Sequence, residues 1–284
     1  TGDPFISFDN NGYCNHCNYF YKHRLAIIEN KKSSSNELDK MFESVKCSNR
    51  NKDAHDVVIG VSGGVDSSTV LLLAQKAGLK IMAVHMDNCW DTPISIKNIK
   101  KLVSLPNVDY ECTVLNWNKF RYLQRAFIES GLPDLELPTD IAIQSVLSKT
   151  AIKYGIKVIL GGSNISNEGI LPAAWMYNPR DTLFAESILK RANVPISFFS
   201  ECKFGFRQEL LQRLFYRIKT LYPLNKFNYD KESARKFLID KIQWENYSGK
   251  HCESRYTRFC QLIYQPRRHK MDYRRAHLST DICL

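Results

Sequence analysis

Ser62-Gly63-Gly64-Val65-Asp66-Ser67-Ser68 stands between the apolar run Val57–Val61 and a helical pattern from about Ser67 to Ala77. A turn between a buried strand and a helix is a common anion site, because glycines let the backbone approach a ligand and the first helical N–H groups attract phosphate. A Walker A loop would end in Gly-Lys-Ser/Thr, and this stretch contains no lysine. A glycine-rich turn capped by Asp66 or Ser67 is the alternative. The full combination of residues in this context favours a phosphate site.

Short apolar runs alternate with helical patterns along the chain. The runs at Leu79–His85, Asp109–Leu115 and Ile156–Gly162 predict strands. Ile141–Tyr154 predicts the helix before the last of them. Strands separated by helices imply parallel βαβ units with right-handed crossovers, so we predict an α/β fold with a parallel sheet flanked by helices. After about Phe204 the pattern becomes helical with little strand.

The composition is that of an ordinary globular protein. The 284 residues are 44% hydrophobic and 24% charged, which excludes collagen-like, low-complexity and largely disordered chains. Apolar runs such as Val70–Ala74 are much shorter than the ~20 residues that cross a bilayer. Residues 1–20 lack the apolar stretch of a signal peptide. We therefore expect a soluble, cytoplasmic protein without a membrane partner.

Positive charge is in excess. The chain has 40 Lys and Arg residues against 29 Asp and Glu residues, a formal net charge of +11. Such an excess indicates an anionic partner, which is a nucleic acid, a nucleotide, or a phosphorylated or carboxylated metabolite. Charge alone does not choose among these classes.

Most of the nine cysteines are isolated in the sequence. A chain of this length forms a core without disulfides, so we expect reduced thiols. Cys14 and Cys17 form the one close pair, and their spacing is half of a zinc knuckle. A tetrahedral structural zinc site needs two further ligands, for which His16, His23 or Cys47 are candidates. A free or redox-active pair is the alternative.

Two polar segments follow predicted strands, which is where an open α/β sheet binds its ligands. His85 and Asp87 follow the second strand; a buried structural histidine and a turn cap are their alternatives. Gly162, Asn164 and Glu168 follow the last predicted strand, and helix capping is the alternative for Glu168.

The segment before residue 264 has helical spacing. Its apolar positions would share one face, at Tyr256, Phe259, Cys260 and Ile263. Polar and cationic positions would form a second stripe, at Lys250, Ser254, Thr257, Arg258 and Gln261. That stripe suits an anionic sugar, and a solvated basic face is the alternative.

The loop at residues 62–68 resembles the SGGxDS pyrophosphate loop of the ATP pyrophosphatase (PP-loop) superfamily. The resemblance implies that the β- and γ-phosphates of ATP are held by Ser62, Gly63, Gly64, Ser67 and Ser68. It implies that Asp66 helps to bind Mg²⁺ and that ATP is split to AMP and pyrophosphate. It also implies adenine near His85 and Asp87, and the segment after Gly162, which resembles that of NAD synthetases, makes Glu168 a second magnesium ligand.

Longer segments narrow the resemblance. They are GDPFISFDNNGYCNHC (2–17), LPDLELPTD (132–140), NISNEGILP (164–172), GKHCESRYTRFCQ (249–261) and RRAHLSTDIC (274–283). Together they resemble the N-acetyl sugar amidotransferases of surface-polysaccharide biosynthesis, which includes lipopolysaccharide and O-antigen. These enzymes are understood to convert an N-acetyl group into an acetamidino group with ATP and with ammonia from a separate glutaminase. The family also has a cysteine pair upstream of residue 1, which would complete the zinc site, and an extension beyond Cys283.

The resemblance also implies roles in the acceptor site. It gives substrate-binding roles to Asp140, Asn164, Arg180, Asp181, Lys250 and Arg258. The cations Lys250 and Arg258 would be catalytic together with Asp66, because adenylation of a neutral amide oxygen demands positive charge near the developing charge. Glu253 would orient one of these cations.

We therefore predict three regions. They are a zinc-knuckle segment and linker at 1–52, a PP-loop ATP pyrophosphatase domain at 53–203, and a helical acceptor-binding region at 204–284. The predicted cofactors are ATP, Mg²⁺ and a structural Zn²⁺. The predicted partners are a class I glutaminase subunit that supplies ammonia and an acetamido sugar, nucleotide-linked in our reading.

The predicted activity is thus that of an AMP-forming N-acetyl sugar amidotransferase. A PP-loop tRNA-thiolating enzyme is the alternative, because the net charge and the Cys14–Cys17 pair would also suit it. Thiolation needs cysteines beside the adenylated base, however, and this pair lies far upstream of the loop, so we do not expect a nucleic-acid partner. A regulatory nucleotide-binding module without catalysis is a third class, which the intact loop and Glu168 disfavour.

Overall fold

A five-stranded parallel sheet forms the centre of the computed structural model, in the order β3-β2-β1-β4-β5. The structure describes residues 2–25, 36–48, 54–175, 177–247 and 253–283, and the backbone alone of Ser48, Asn167, Glu168 and Asp281. The strands are β1 (Val57–Gly60), β2 (Ile81–Asp87), β3 (Val108–Val114), β4 (Val158–Leu160) and β5 (Lys219–Leu221).

Thirteen α-helical segments lie within the described ranges. Those of the first half are α1 (Asn15–Phe20), α2 (Glu37–Ser48), α3 (Val65–Lys76), α4 (Pro93–Val103), α5 (Trp117–Ser130) and α6 (Leu137–Lys153). Those of the second half are α7 (Ile165–Glu168), α8 (Thr182–Arg191), α9 (Ser197–Ser200), α10 (Phe206–Leu214), α11 (Lys231–Ile242), α12 (Arg255–Phe259) and α13 (Tyr273–Cys283). Wider π-type turns follow α1 at Tyr21–Leu25 and α12 at Cys260–His269, and short 3₁₀ turns lie at Ala173–Trp175 and Pro223–Asn225. In these ranges no helix has both the length and the apolar character to cross a membrane.

The central strands are apolar on both faces because helices cover both sides of the sheet. Every residue of β4 and three of the four residues of β1 are buried. Strand β3 lies at an edge, and its residues alternate between exposed and partly buried. Val58 pairs with Met82 on one side and with Ile159 on the other, which fixes β1 at the centre.

The strand order creates a switch point beside β1. The chain runs from β1 outward through β2 to β3 and then returns to the other side of β1 as β4. Connections that leave β1 and β4 in opposite directions open a crevice at their carboxyl ends, which is where doubly wound sheets bind ligands. The loop at residues 62–68 follows β1 at that edge.

The predicted fold class is confirmed: the chain has an α/β fold with a parallel sheet flanked by helices. The helix predicted from Ile141 begins earlier, at Leu137, because Pro138 fits the first helical turn. The strand predicted over Ile156–Gly162 is three residues long. The region after Phe204 contributes the edge strand β5 as well as helices. The boundaries predicted at 52 and 203 remain predictions.

The predicted apolar face of the 250s segment forms only in part. Tyr256 and Cys260 are buried, whereas Phe259 is 39% exposed and Ile263 is 45% exposed. The regular helix ends at Phe259, and the wider turn that follows changes the angular spacing on which the predicted face depended.

Candidate functional site

The loop after β1 is tightly held at Gly63. Its φ of +77° is in the left-handed region that glycine adopts readily. A Cβ at this position would lie 2.6 Å from the carbonyl oxygen of Ser95 in the first turn of α4. Both the backbone conformation and the close approach of α4 therefore require glycine here.

The Gly63 carbonyl accepts hydrogen bonds from a distant part of the chain. Trp244 Nε1 donates at 3.1 Å and the Tyr247 hydroxyl at 3.0 Å, with Asn98 Nδ2 further away at 3.5 Å. Trp244 and Tyr247 are both buried. These donors fix the peptide that joins Gly63 to Gly64 and so set the shape of the loop.

Serine hydroxyls line the loop. Ser62 Oγ lies 3.2 Å from Ser67 Oγ and accepts the Gly64 N–H at 3.3 Å. Ser68 differs, because it is fully buried and its Oγ has no hydrogen-bond partner among the described residues. The structure thus brings Ser62, Gly64 and Ser67 together and places the Ser68 hydroxyl under the helix surface.

Asp66 is held by two residues that follow β5 in the sequence. Its Oδ1 accepts from the Tyr229 hydroxyl at 2.5 Å, and its Oδ2 lies 3.4 Å from Lys231 Nζ. Burial and the charge of Asp66 raise the pKa of Tyr229, which keeps that hydroxyl a donor. A carboxylate fixed in the first turn of α3, beside the loop, is suited to bind a magnesium ion that also contacts phosphate.

The segment after β4 meets the loop directly. A Cβ on Gly162 would lie 3.2 Å from the Ser67 backbone nitrogen and 3.5 Å from Asp66 Cβ. Asn164 is buried, and its Nδ2 lies 3.5 Å from the Gly162 carbonyl oxygen. Glu168 ends α7 a short distance along the chain, and its side chain is outside the described structure. Gly162 thus lies close to the loop, and its role in cofactor binding stays a prediction.

Glu253 lies against the loop at Gly64. Its Oε1 would be 3.1 Å from a Cβ on Gly64. The Thr92 N–H donates to the Glu253 carbonyl at 3.1 Å, and Asp91 pairs with Ser254, so the segment is fixed to the turn after β2. The side chain predicted to orient a cation therefore touches the phosphate loop itself.

His85 is a structural link between strand ends. Its Nδ1 lies 2.9 Å from the Val61 carbonyl oxygen and its Nε2 lies 2.9 Å from Asp91 Oδ2. Burial opposes the charged ring, but the hydrogen bond and charge of Asp91 outweigh it and raise the pKa of His85. Two acceptors of this kind are both satisfied by the doubly protonated imidazolium. The alternative of a satisfied buried histidine thus agrees with the geometry.

Asp87 stabilises the turn after β2. Its Oδ1 accepts the Cys89 N–H at 2.8 Å, and Cys89 adopts a left-handed φ of 67°. The same turn holds Asn88, whose Oδ1 accepts the Trp90 N–H. These are the contacts of turn caps, and the adenine site predicted near Asp87 remains a prediction.

Three carboxylates gather at the start of α6. Desolvation raises the pKa of Asp134 and of Glu136. Desolvation and the charges of Glu136 and Asp134 raise the pKa of Asp140 well above its usual range. Gln261 Nε2 donates to Glu136 at 3.2 Å. The stripe predicted to bind an anion therefore contacts, through Gln261, the acidic loop formed by Asp134, Glu136 and Asp140.

Two of the remaining predicted acceptor residues have partners elsewhere in the structure. Arg180 forms an ion pair with Glu209 of α10, and Asp181 caps α8 by accepting the Phe184 N–H at 2.9 Å. Arg258 is exposed on α12. Lys250 lies outside the described residues. No contact in the described structure brings Arg180 or Asp181 to the loop.

The zinc prediction is not supported. Cys14 Sγ and Cys17 Sγ lie 3.4 Å apart, and burial and the thiols of Cys14 and Cys283 raise the pKa of Cys17 to about 12. Among the residues with described side chains, no group of three or more His, Cys, Asp or Glu is arranged to hold a metal ion. His16 is instead paired with Asp3, at 2.5 Å.

The other two ligand candidates, His23 and Cys47, also belong to no such group among the described residues. His23 packs against the ring of Tyr19, with 4.6 Å between the ring centres. Cys47 is exposed on α2.

Sequence reasoning missed the residues that fix the loop from a distance. Tyr229, Lys231, Trp244 and Tyr247 lie more than 160 positions after the loop and belong to no motif. Nothing in the sequence around Tyr229, Trp244 and Tyr247 indicates which residues they contact.

One protein family matches the part of the chain that contains the loop. Residues 37–120 match the NAD synthase family. The matched segment includes the loop and covers less than half of the chain. No curated protein matches the chain. The match and the sheet topology support the PP-loop ATP pyrophosphatase superfamily for the matched residues around the loop.

Similar solved structures include three synthetases. An NH3-dependent NAD synthetase from Campylobacter jejuni is 20% identical, with a TM-score of 0.39, over 73% of this chain and 93% of that chain. An NMN synthetase from Francisella tularensis is 14% identical, with a TM-score of 0.37, over 77% and 99%. A glutamine-dependent NAD+ synthetase from Acinetobacter baumannii is 16% identical, with a TM-score of 0.37, over 77% and 47%.

Proposed function

We propose that this protein is an ATP-dependent amidotransferase that converts the N-acetyl group of an acetamido sugar into an acetamidino group and forms AMP and pyrophosphate. The loop at residues 62–68 carries the proposal, because it lies at the switch point of a PP-loop domain with Asp66 fixed beside it. The resemblance of the longer segments supports the sugar as acceptor.

The loop favours cleavage between the α- and β-phosphates. Its backbone N–H groups and the hydroxyls of Ser62 and Ser67 would hold the β- and γ-phosphates, and it has no lysine directed at the γ-phosphate. Asp66 and Glu168 would hold Mg²⁺, which takes one or two carboxylates together with phosphate oxygens. This ion would neutralise charge on the leaving pyrophosphate.

The reaction has two steps at the acetamido carbonyl. Its oxygen attacks the α-phosphorus, the bond to the pyrophosphate oxygen breaks, and an adenylated imidate forms. Ammonia then adds to the carbonyl carbon, AMP leaves with the former carbonyl oxygen, and loss of a proton gives the acetamidino group. Arg258 and Lys250 would stabilise the negative charge that develops on the departing pyrophosphate and then on the departing AMP.

The acidic loop supports a hydroxyl-rich acceptor. Carboxylates accept hydrogen bonds from hydroxyl groups, and Asp134, Glu136 and Asp140 lie together at one end of α6. Desolvation raises the pKa of the Tyr177 and Tyr273 phenols, and the charge of Asp134 raises both further. Asp140, Asn164, Arg180 and Asp181 remain proposed acceptor residues.

The thiols near the loop are poorly suited to tRNA thiolation. Cys89 is the described thiol in the turn after β2, and desolvation together with the charges of Asp87 and Asp91 raises its pKa. A thiol needs a lowered pKa to act as a nucleophile at neutral pH. Cys14 and Cys17 lie on and beside α1, which packs against α13.

The first experiment identifies the products of ATP. The purified chain is incubated with ATP, Mg²⁺, an ammonium salt and a nucleotide-linked N-acetyl sugar, and phosphorus NMR follows the phosphates. We expect AMP and pyrophosphate, with the rate reduced by ~10²-fold or more in Asp66→Asn because a fixed charge at the metal is lost. Asp240→Asn, at an exposed carboxylate on α11, is the matched control. Formation of ADP and phosphate would refute the proposed reaction.

The second experiment identifies the sugar product. Mass spectrometry should show a product about one unit lighter than the acceptor, since NH replaces oxygen. Lys250→Ala and Arg258→Ala should abolish this product while binding of a non-hydrolysable ATP analogue persists. The chain alone should use ammonium but not glutamine, because a class I glutaminase is the proposed ammonia source. Full turnover in both variants would show that these cations are not catalytic.

A further inference from the structure

A pocket of about 250 Å³ opens between α5, α12 and the turn after β2. Four aromatic rings line it, those of Trp90, Trp117, Tyr256 and Phe259. The centres of the Trp90 and Trp117 rings are 5.6 Å apart, and those of Trp90 and Tyr256 are 5.5 Å apart. Trp117 and Phe259 are both more than a third exposed, so flat aromatic surface is available to a ligand.

Gln124 gives this pocket a hydrogen-bonding group without a protein partner. The side chain is 3% exposed and its Oε1 accepts from Trp90 Nε1 at 2.9 Å. Its Nε2 group is left without a hydrogen-bond partner anywhere in the described ranges. An unsatisfied buried donor is costly, which points to a ligand acceptor in this pocket.

Arginines give the pocket a positive rim. Arg121, Arg125 and Arg255 all line it. Arg125 is paired with Glu129 at 2.6 Å, but no acidic side chain in the described structure lies within ion-pair distance of Arg121 or Arg255. Two uncompensated guanidinium groups beside stacked aromatic rings fit a flat heterocycle that carries phosphate.

The pocket is joined to the phosphate loop by a short segment. The Arg255 N–H donates to the Trp90 carbonyl at 2.9 Å, and Glu253, two residues earlier, lies against Gly64. Two residues span at most ~7 Å. A ligand bound in the pocket thus places a group attached to it near the loop where ATP is proposed to react.

We infer that this pocket binds the nucleobase and diphosphate of a nucleoside-diphosphate-linked sugar. The inference rests on the proposed function and deepens it, because it assigns a binding site to the nucleotide of the predicted nucleotide-linked acceptor. The base stacks on Trp117 and Phe259, its carbonyl accepts from Gln124 Nε2, and Arg121 and Arg255 bind the diphosphate. The sugar then extends past residue 253 toward the loop.

The pocket favours this ligand over a nucleic acid. Its volume suits a single base, and its two unpaired cations match the charge of one diphosphate. Binding of tRNA would neutralise many phosphates and would weaken steeply with salt. A tRNA complex that depends on this pocket is therefore an outcome that the experiment must detect.

Calorimetric titration with UDP, CDP and GDP tests the inference in the full chain, in the presence of a saturating ATP analogue with a methylene group between the α- and β-phosphates. We expect at least one diphosphate to bind, and Trp117→Ala to weaken it by ~10-fold or more through lost stacking. Trp117→Tyr should bind nearly as tightly. Arg255→Ala should weaken the diphosphate but not the corresponding nucleoside. Phe215→Ala and Arg191→Ala, at exposed sites outside the pocket, are the controls.

The outcomes separate this inference from the proposed function. If no diphosphate binds, or if Trp117→Ala and Arg255→Ala bind like the controls, the pocket assignment is wrong, even where a sugar-dependent AMP release is observed. If the diphosphate binds as expected but no acceptor supports AMP release, the proposed function fails and the pocket stands. A salt-sensitive tRNA complex that Trp117→Ala abolishes would overturn the inference.

Discussion

Replacement of Gly63 by alanine tests whether the loop depends on close contact with α4. Alanine at a φ of +77° costs ~1 kcal/mol in backbone strain. The added Cβ would also lie 2.6 Å from the Ser95 carbonyl oxygen and 2.9 Å from Ser95 Cα. These are backbone atoms in the first turn of α4, so relief requires movement of that helix, which costs ~1–3 kcal/mol more. The free energy of unfolding should fall by ~2–4 kcal/mol.

Gly155→Ala is the matched control. Gly155 has a φ of +68°, and nothing lies within 4 Å of a Cβ built there. It therefore carries the same backbone strain without the contact, and its unfolding free energy should fall by ~1 kcal/mol. Urea unfolding followed by circular dichroism measures both variants, and titration with the ATP analogue should show lost binding in Gly63→Ala alone. Equal losses of stability would refute the argument from contact.

Three further predictions follow from the site. Asp91→Asn should lower the pKa of His85, measured by NMR, because the variant loses the charge that raises this pKa. The stabilising effect of the His85–Asp91 pair is present at low pH and is lost as the pH rises through the folded-state pKa of His85. A variant in which His85 titrates as in the wild type would contradict this prediction. Asp140→Asn should stabilise the protein at pH 8 by less than ~1 kcal/mol, but not at pH 3, because the raised pKa of Asp140 makes its ionisation unfavourable in the folded protein. Thermal unfolding at both pH values measures the effect, and a variant less stable than the wild type at pH 8 would refute the prediction. Tyr229→Phe should lower the free energy of unfolding, measured in urea, by ~1 kcal/mol and weaken Mg²⁺-dependent ATP binding, because Asp66 loses a hydrogen-bond donor while the aromatic ring is kept. Unchanged ATP affinity would show that Tyr229 does not position Asp66.

The sequence allowed prediction of features that depend on neighbouring residues. Val57–Val61 followed by Ser62–Ser68 predicted a strand, a glycine turn and a helix, because apolar runs and glycine conformations act over a few positions. The parallel sheet followed from the alternation of such units. Gly162 lies near the loop for a related reason, since the carboxyl ends of parallel strands share an edge.

Features that depend on packing between distant segments were not predictable in this way. The contact of Tyr229 with Asp66 requires the position of β5, a three-residue strand too short to give a periodic signal. The face of Tyr256 and Ile263 assumed a constant helical spacing, which the wider turn at Cys260–His269 changes. The stripe residue Gln261 could not be assigned its partner Glu136, because nothing in the sequence places the acidic loop opposite it.

The hydrogen bonds to the Gly63 carbonyl have a consequence for the biosynthesis of the protein. Strands β1 to β4 leave the ribosome before Trp244 and Tyr247 have been translated. Until those residues emerge, the Gly63 carbonyl lacks the two buried donors that orient its peptide. The sheet is therefore able to begin folding during translation, while the phosphate loop takes its final shape only after Trp244 and Tyr247 have been translated. A nascent chain arrested before residue 244 should be partly folded and unable to retain ATP.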